Sequence, residues 1–220
     1  MGHTVSGVGV LDKAVAVLAA AEEAPVSLND LVAAVGLSRA TTHRLAVALE
    51  AHGLLRRDDE GRFVLGLRLL ELGHRAAEAV PLWLDARPGL ASLRERTGES
   101  VQLFVRDGDA RVCIESLESP HELRTIVPVG ARLPLDRGSA GRVLDGSGGD
   151  ARRRTWVESV AEREPGVASV SAPVLGPGGR VVAAVSVSGP IDRLSRQPGR
   201  RYGEAVLDAA RSIERAAGLG

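Results

Sequence analysis

Residues 27 to 53 read SLNDLVAAVGLSRATTHRLAVALEAHG, and this stretch decides the fold of the N-terminal part. Ser27 precedes an apolar stripe of Leu28, Leu31, Val32 and Val35, with Asp30 three residues on. That is an abbreviated capping box opening a helix. Gly36-Leu37 reads as a tight turn. Ser38 then caps a helix running to about His52, with Ala40, Leu45, Val47 and Leu49 inward or flanking, and Gly53 stops it. The first turn of this second helix is polar, as a helix must be whose N-terminal residues reach base edges in the major groove. Arginine donates twice to guanine, and threonine donates, accepts or touches a thymine methyl. The candidate contacts are Ser38, Arg39, Thr41, Thr42, His43 and Arg44. An ordinary helical bundle with a solvated polar face leaves the same local pattern.

Outward from this core, Leu11, Ala14, Val15, Val17, Leu18 and Ala21 have helical spacing, and that helix ends before Pro25. Downstream, Leu54–Arg57 and Phe63–Gly66 flank a polar, glycine-containing turn and read as a hairpin, a wing whose Arg56, Arg57 and Arg62 face flanking phosphates. A further helix starts at Leu67 and Pro81 breaks it.

Beyond Pro81 the pattern changes. Val101–Val105, Arg111–Leu117, Leu123–Val129, Val167–Leu175 and Val181–Ser188 read as strands, the last two joined by the hairpin signal Gly176-Pro177-Gly178-Gly179. Helices are expected at Leu82–Arg96, Gly138–Leu144, Arg152–Glu164 and Gly199–Ala217. Hairpins mixed with helices imply an antiparallel sheet flanked by helices. The fold class is α+β: a winged helix–turn–helix over 1–66, a linker helix over 67–81 and a sheet domain over 82–220.

Composition bounds the function. The 220 residues carry 28 basic and 28 acidic side chains, and residues 1–80 are slightly acidic. Bulk charge therefore does not hold this chain to nucleic acid; a local basic surface has to. Between Ser38 and Arg57 stand Arg39, Arg44, Arg56 and Arg57 with Glu50 as the lone acid. Aromatics are 2%, too few for a platform that stacks unpaired bases, so duplex DNA is the expected partner. The lone Cys113 excludes a disulfide framework within the chain, and it lies mid-strand, where burial is expected. No apolar run approaches a membrane span, and no basic-then-apolar leader opens the sequence; a cytoplasmic protein is expected.

No catalytic or cofactor motif appears. The five histidines are scattered, with no pair at helical ligand spacing, and neither a Walker loop, a Gly-x-Gly-x-x-Gly nor a Gly-x-Ser-x-Gly pattern is present. No cofactor or metal is expected. Binding is favoured over catalysis, with a metabolite-processing enzyme fused to a winged helix as the lesser reading.

In the second half, Ser186 and Ser188 are two apart on a strand and share one face, while Val185 and Val187 point into a packed layer. Two hydroxyls on one face suit a ligand carboxylate, or the face is simply solvated. Gly138-Ser139-Ala140-Gly141 opens a candidate helix whose N–H groups favour an anion.

Several segments resemble one family in order. Gly7–Ala14, Leu37–Leu45, Gly53-Leu54-Leu55, Gly61–Gly66, Thr97–Val101, Val129–Leu135, Ser169–Val174 and Ser186–Pro190 together resemble the IclR family of bacterial transcription regulators. The resemblance covers most of the chain. It implies a GAF-like, profilin-like effector domain holding a small organic molecule, often a carboxylate. It also implies homodimers, often paired into tetramers. Carried over by position, the effector would touch Ser139, Ala140, Ser186 and Ser188, with Ser169 where the family frequently has Cys and Ser159 where Asp is typical. Loss of that Asp points toward an amino acid or another metabolite rather than a glyoxylate-like acid. Actinobacterial members controlling amino-acid biosynthesis look similar. Two departures stand out: a shortened, glycine-rich stretch between Leu144 and Trp156, and Arg142-Val143 in place of a basic-then-alanine pair. A regulator of this type without a working effector site is the alternative these departures raise.

Overall fold

The computed structural model describes residues 6, 8–78, 81–147 and 155–219. The chain divides into two compact units, Met1–Ala79 and Val80–Gly220.

The first unit runs α1 (Gly9–Ala20), α2 (Leu28–Val35), α3 (Arg39–Ala51), β1 (Leu55–Arg57), β2 (Phe63–Leu65) and α4 (Leu67–Glu78). Its caps are local. Ser27 Oγ accepts from the Asp30 amide at 3.3 Å, and Ser38 Oγ accepts from that of Thr41 at 3.3 Å. Gly36 ends α2 in the left-handed region at φ 66°, which a glycine adopts without a Cβ penalty. β1 and β2 pair antiparallel, Arg57 opposite Phe63, and Val26 adds one more rung against Phe63. Gly66 marks a backbone crossing: a Cβ there would lie 2.0 Å from the Gly53 carbonyl oxygen. The core joins Val17, Ala21, Leu31, Ala46, Leu49, Leu55 and Phe63.

The inward face of α3 differs from expectation. Thr42, Ala46 and Leu49 are buried, whereas Ala40 and Val47 are exposed and His52 is open to solvent. The stripe at i, i+4 and i+7 carries a threonine because its hydroxyl donates to the Ser38 carbonyl at 3.2 Å and needs no water. On α4, Leu67 and Leu70 stand out at 70% and 73% exposure.

The second unit contains α5 (Pro81–Thr97), β3 (Ser100–Asp107), β4 (Ala110–Leu117), β5 (Arg132–Pro134), α6 (Ser139–Asp145), β6 (Val157–Val160), β7 (Val167–Leu175), β8 (Val181–Pro190), α7 (Ile191–Leu194) and α8 (Pro198–Ala216). One antiparallel sheet has the order β5-β4-β3-β8-β7-β6. One face, with Val101, Leu103, Val170, Val185 and Val187, packs on α5 and α8 through Leu90, Val206 and Ile213. The other face lies under α6. The 176–179 hairpin is present, closed by Gly176 N–H to Arg180 O at 2.8 Å.

Two expected elements are replaced. Leu123–Val129 forms no strand; Thr125 and Val127 are buried while Leu123, Ile126 and Val129 are exposed. The alternation is real, but backbone bonding to β4 begins only past Pro128, where Gly130 and Ala131 meet Cys113, and β5 follows from Arg132. The helix expected over Arg152–Glu164 is instead strand β6, Ser159 opposite Ser169; residues 152–154 lie outside the described residues. Its short alternating run pairs with a strand ten residues on, which helical spacing within the segment does not reveal. Among the described residues no helix is long and apolar enough to cross a membrane.

Cys113 is fully buried, its thiol donating to the Glu115 carbonyl at 3.3 Å. Burial pushes the thiol up to about 12. A thiol reagent at pH 8 is therefore expected to leave the native protein unlabelled and to label one site after denaturation. The native thiol ionises above its ordinary 9.0, so the stability it contributes is complete below pH 9.0 and falls as pH rises toward about 12. Rapid labelling of native protein would contradict this burial.

Candidate functional site

Two surfaces carry chemistry, one in each unit. In the first, the start of α3 presents Ser38, Arg39, His43 and Arg44 to solvent, with Thr41 half-buried. Ser38 and Thr41 hydroxyls lie 2.9 Å apart, and Arg39 donates to Asn29 Oδ1. His43, Arg44 and Arg56 have no hydrogen-bond or ion-pair partner among the described residues, so their donors are available to an outside acceptor. Thr42 is the exception to the expected set. It is buried with its hydroxyl spent on the Ser38 carbonyl, and it cannot touch a base edge. Lys13 of α1 joins Val10, Thr41, Arg44 and Leu45 around a shallow groove, a cation that the helix–turn–helix pattern did not single out.

The wing arginines are not equivalent. Arg57 stacks on the Phe63 ring at 4.2 Å, donates to Gly61 O at 3.0 Å and lies 3.4 Å from Glu50. Arg62 is clasped by Asp58 at 2.7 Å and by Glu60. The Asp58 hydrogen bond holds the Arg62 guanidinium above its ordinary range. Arg56 alone of the three is uncommitted.

In the second unit the sheet face under α6 carries hydroxyls in register. Ser159, Ser169, Ser188 and Ser100 form one cross-strand row over β6, β7, β8 and β3. Ser171, Ser186 and Gln102 form the next. Alternation puts both rows on one face, and burial beneath α6 rules out the simply solvated reading. Ser139 at the start of α6 places its hydroxyl 2.7 Å from those of Ser169 and Ser171, and Ser188 donates to Gln102 Oε1 at 3.0 Å. A small cleft of about 30 Å³ opens here. All six expected residues, Ser139, Ala140, Ser159, Ser169, Ser186 and Ser188, line it.

The lining also includes Gln102, Phe104, Arg111 and Arg163, which no motif had marked. A charged Arg111 between Ala110 and Val112 of a buried strand was the available signal. Ser171, two residues past Ser169, had the same period-two signal as Ser186 and Ser188. The amide of Gly138, expected to be open to a ligand anion, is taken: it donates to Glu162 Oε2 at 3.1 Å, and Glu162 pairs with Arg142 at 3.0 Å.

The IclR helix-turn-helix domain matches residues 10–59, and the bacterial transcriptional regulator IclR C-terminal domain matches residues 74–146 and 149–215. The chain therefore belongs to the IclR family. It is a DNA-binding transcription regulator with a C-terminal effector-binding domain. The chain is 28% identical to the regulator KipR of Bacillus subtilis, over 88% of this chain and 90% of that one. It is also 28% identical to the glycerol operon regulatory protein of Streptomyces coelicolor, over 96% of each. The repressor AllR of Escherichia coli is 27% identical over 97% of this chain and 92% of its own. These relatives are transcription regulators rather than enzymes. The fold is shared with an IclR homologue from Microbacterium hydrocarbonoxydans solved with 4-hydroxybenzoate, at TM-score 0.80 and 23% identity over 96% and 100% of the two chains. It is shared also with Thermotoga maritima IclR, at 0.78 and 22% over 96% and 99%.

Proposed function

We propose that this regulator is a cytoplasmic repressor that binds duplex operator DNA as a homodimer, with tetramers as pairs of dimers, and answers to a small carboxylate or amino-acid-like metabolite. The observation that carries the effector half is the cleft that gathers Ser139, Ala140, Ser159, Ser169, Ser186 and Ser188. A homologue of the same fold is solved with 4-hydroxybenzoate, itself a small carboxylate, which supports the ligand class. Genes of amino-acid metabolism are the proposed targets. Residues 1–66 form the DNA-binding part, 67–81 the linker and 82–220 the effector-binding part. Exposed Val10, Leu11 and Val15 of α1 and Leu67 and Leu70 of α4 are apolar surfaces that a second copy would remove from water. A dimer doubles every contact of a weakly charged module. An effector with different affinity for two arrangements of the dimer sets the operator affinity, without turnover of the ligand.

Ser38, Arg39, Thr41, His43 and Arg44 are the proposed contacts of α3, with Arg56 the leading phosphate contact of the wing and Arg57 and Arg62 secondary because their charges are engaged. Gel-shift titrations on a duplex selected from random DNA by the wild type test this. Arg44→Ala is expected to cost about 1–3 kcal/mol and to relax the preference over scrambled DNA, while Arg56→Ala weakens both alike and lowers the salt slope by about one per contact. Unchanged discrimination in Arg44→Ala would overturn the assignment of α3. For the cleft, Ser186→Ala with Ser188→Ala is expected to lose ligand-induced stabilisation; unchanged affinity would remove these serines from the site.

A further inference from the structure

The cleft's serines do not decide what charge it accepts, because a hydroxyl donates or accepts as its partner requires. Two other lining residues do. Gln102 on β3 is 1% exposed, and its Oε1 accepts from Ser188 while its Nε2 has no partner. Arg111 on β4 is 3% exposed. Its Nη1 donates to the Arg137 carbonyl at 2.7 Å and to that of Pro134, and its Nε is buried without a partner. Buried donors left unpaired are costly, and more so where charged, so two at one cleft call for an acceptor.

The charge balance points the same way. Among the described residues no carboxylate oxygen lies within 4.0 Å of the Arg111 guanidinium. Arg163, also lining the cleft, is a second cation there, paired with Glu164 at 3.1 Å. Burial, with Arg163 adding to it and Asp136 opposing, brings Arg111 down to about 10, so it remains charged at neutral pH. Glu162, the nearby acid that caps Gly138, is already held by Arg142. Neither Arg111 Nε nor Gln102 Nε2 has any acceptor character.

We propose that Arg111 and Gln102 are the residues that select the effector's charge: the carboxylate of a small organic acid accepts from Arg111 Nε–H, and Gln102 Nε2–H donates to the same molecule. This rests on the cleft being the effector site and adds that the site reads an anion through these two donors. The serines hold the remaining polar groups. Arginine keeps its geometry through the two carbonyls that Nη1 already engages.

The test measures binding of pyruvate, acetyl-leucine and 4-hydroxybenzoate, each beside its neutral amide, and of inorganic phosphate, by calorimetry on the full chain. For wild type the bound acid is expected to exceed its amide by at least about tenfold, as a charge-assisted bond would give. Arg111→Met should erase that ratio and Arg111→Lys should keep much of it. Gln102→Leu should weaken acid and amide together by several-fold. A loss of packing alone would not change the acid-to-amide ratio. If Arg111→Met does not fold, the wild-type Arg111 Nε–H resonance serves instead, expected to shift on titration with the acid and not with the amide. Equal binding of acid and amide, a preference for phosphate, or a ratio retained in Arg111→Met overturns the inference. Should the Ser186→Ala/Ser188→Ala variant lose binding while Arg111→Met keeps the ratio, the cleft stands and the charge assignment alone falls. If no probe of either kind binds the wild type, both fall.

Discussion

Phe63→Ala is expected to destabilise the N-terminal unit by about 3–5 kcal/mol, the range for emptying a buried aromatic site. Phe63 is fully buried among Val17, Leu31, Leu49 and Leu55, so the core of the helix–turn–helix meets the wing at this ring. Its backbone exchanges hydrogen bonds with Val26 at 2.8 and 2.9 Å, and its outer face carries the Arg57 guanidinium. Truncation opens a cavity, releases the stacked arginine and loosens the strand that sets the wing. A stability of 5–15 kcal/mol is ordinary for a domain, so a loss of this size leaves a large unfolded fraction. Hydrogen exchange should show α2, α3 and the wing losing protection while β3, β7 and β8 keep theirs. Operator binding should fall in proportion to the unfolded fraction. A melting curve matching wild type would show that the ring carries little of the core.

Arg193→Ala is expected to be nearly as damaging to the second unit, at about 3–5 kcal/mol, for an electrostatic reason. Arg193 Nε and Nη2 each meet the Glu99 carboxylate at 2.8 Å, a two-pronged pair, and Nη1 donates to Leu123 O at 2.8 Å. The Glu99 side chain is only 3% exposed. Removing the arginine strands a buried carboxylate and frees the segment after β4 from its tie to α7. The larger cost is the stranded charge rather than the lost bond. Changing both residues, Glu99→Met with Arg193→Met, is therefore expected to recover much of the loss in a denaturant titration. If the double variant is less stable than Arg193→Ala, the pair itself, and not the orphaned charge, carries the stability.

Local chemistry made much of the first unit legible. Ser27, Gly36 and Ser38 fix helix ends within a few residues of themselves, and the wing turn closes through Asp58 and Arg62. Thr42 has the polarity of a contact residue but faces the core, because polarity marks a residue type and not a face; its spacing to Ala46 and Leu49 holds the better information. In the second unit the failures are non-local. β6 exists because β7 offers it an edge, and nothing between Val157 and Val160 announces that partner. Likewise, Glu162 capping Gly138 joins residues 24 apart. The serine face was legible through period two on β8, and its continuation to Ser171 and Gln102 followed only once strand register was known.

The contact between Ser139 and the hydroxyls of Ser169 and Ser171 has a bearing on how a signal is released. These three hydroxyls satisfy one another. A molecule that reaches them trades partners at these three positions, whereas the donors of Gln102 and Arg111 have no bond to give up. The gain per serine is then the small difference between two satisfied states.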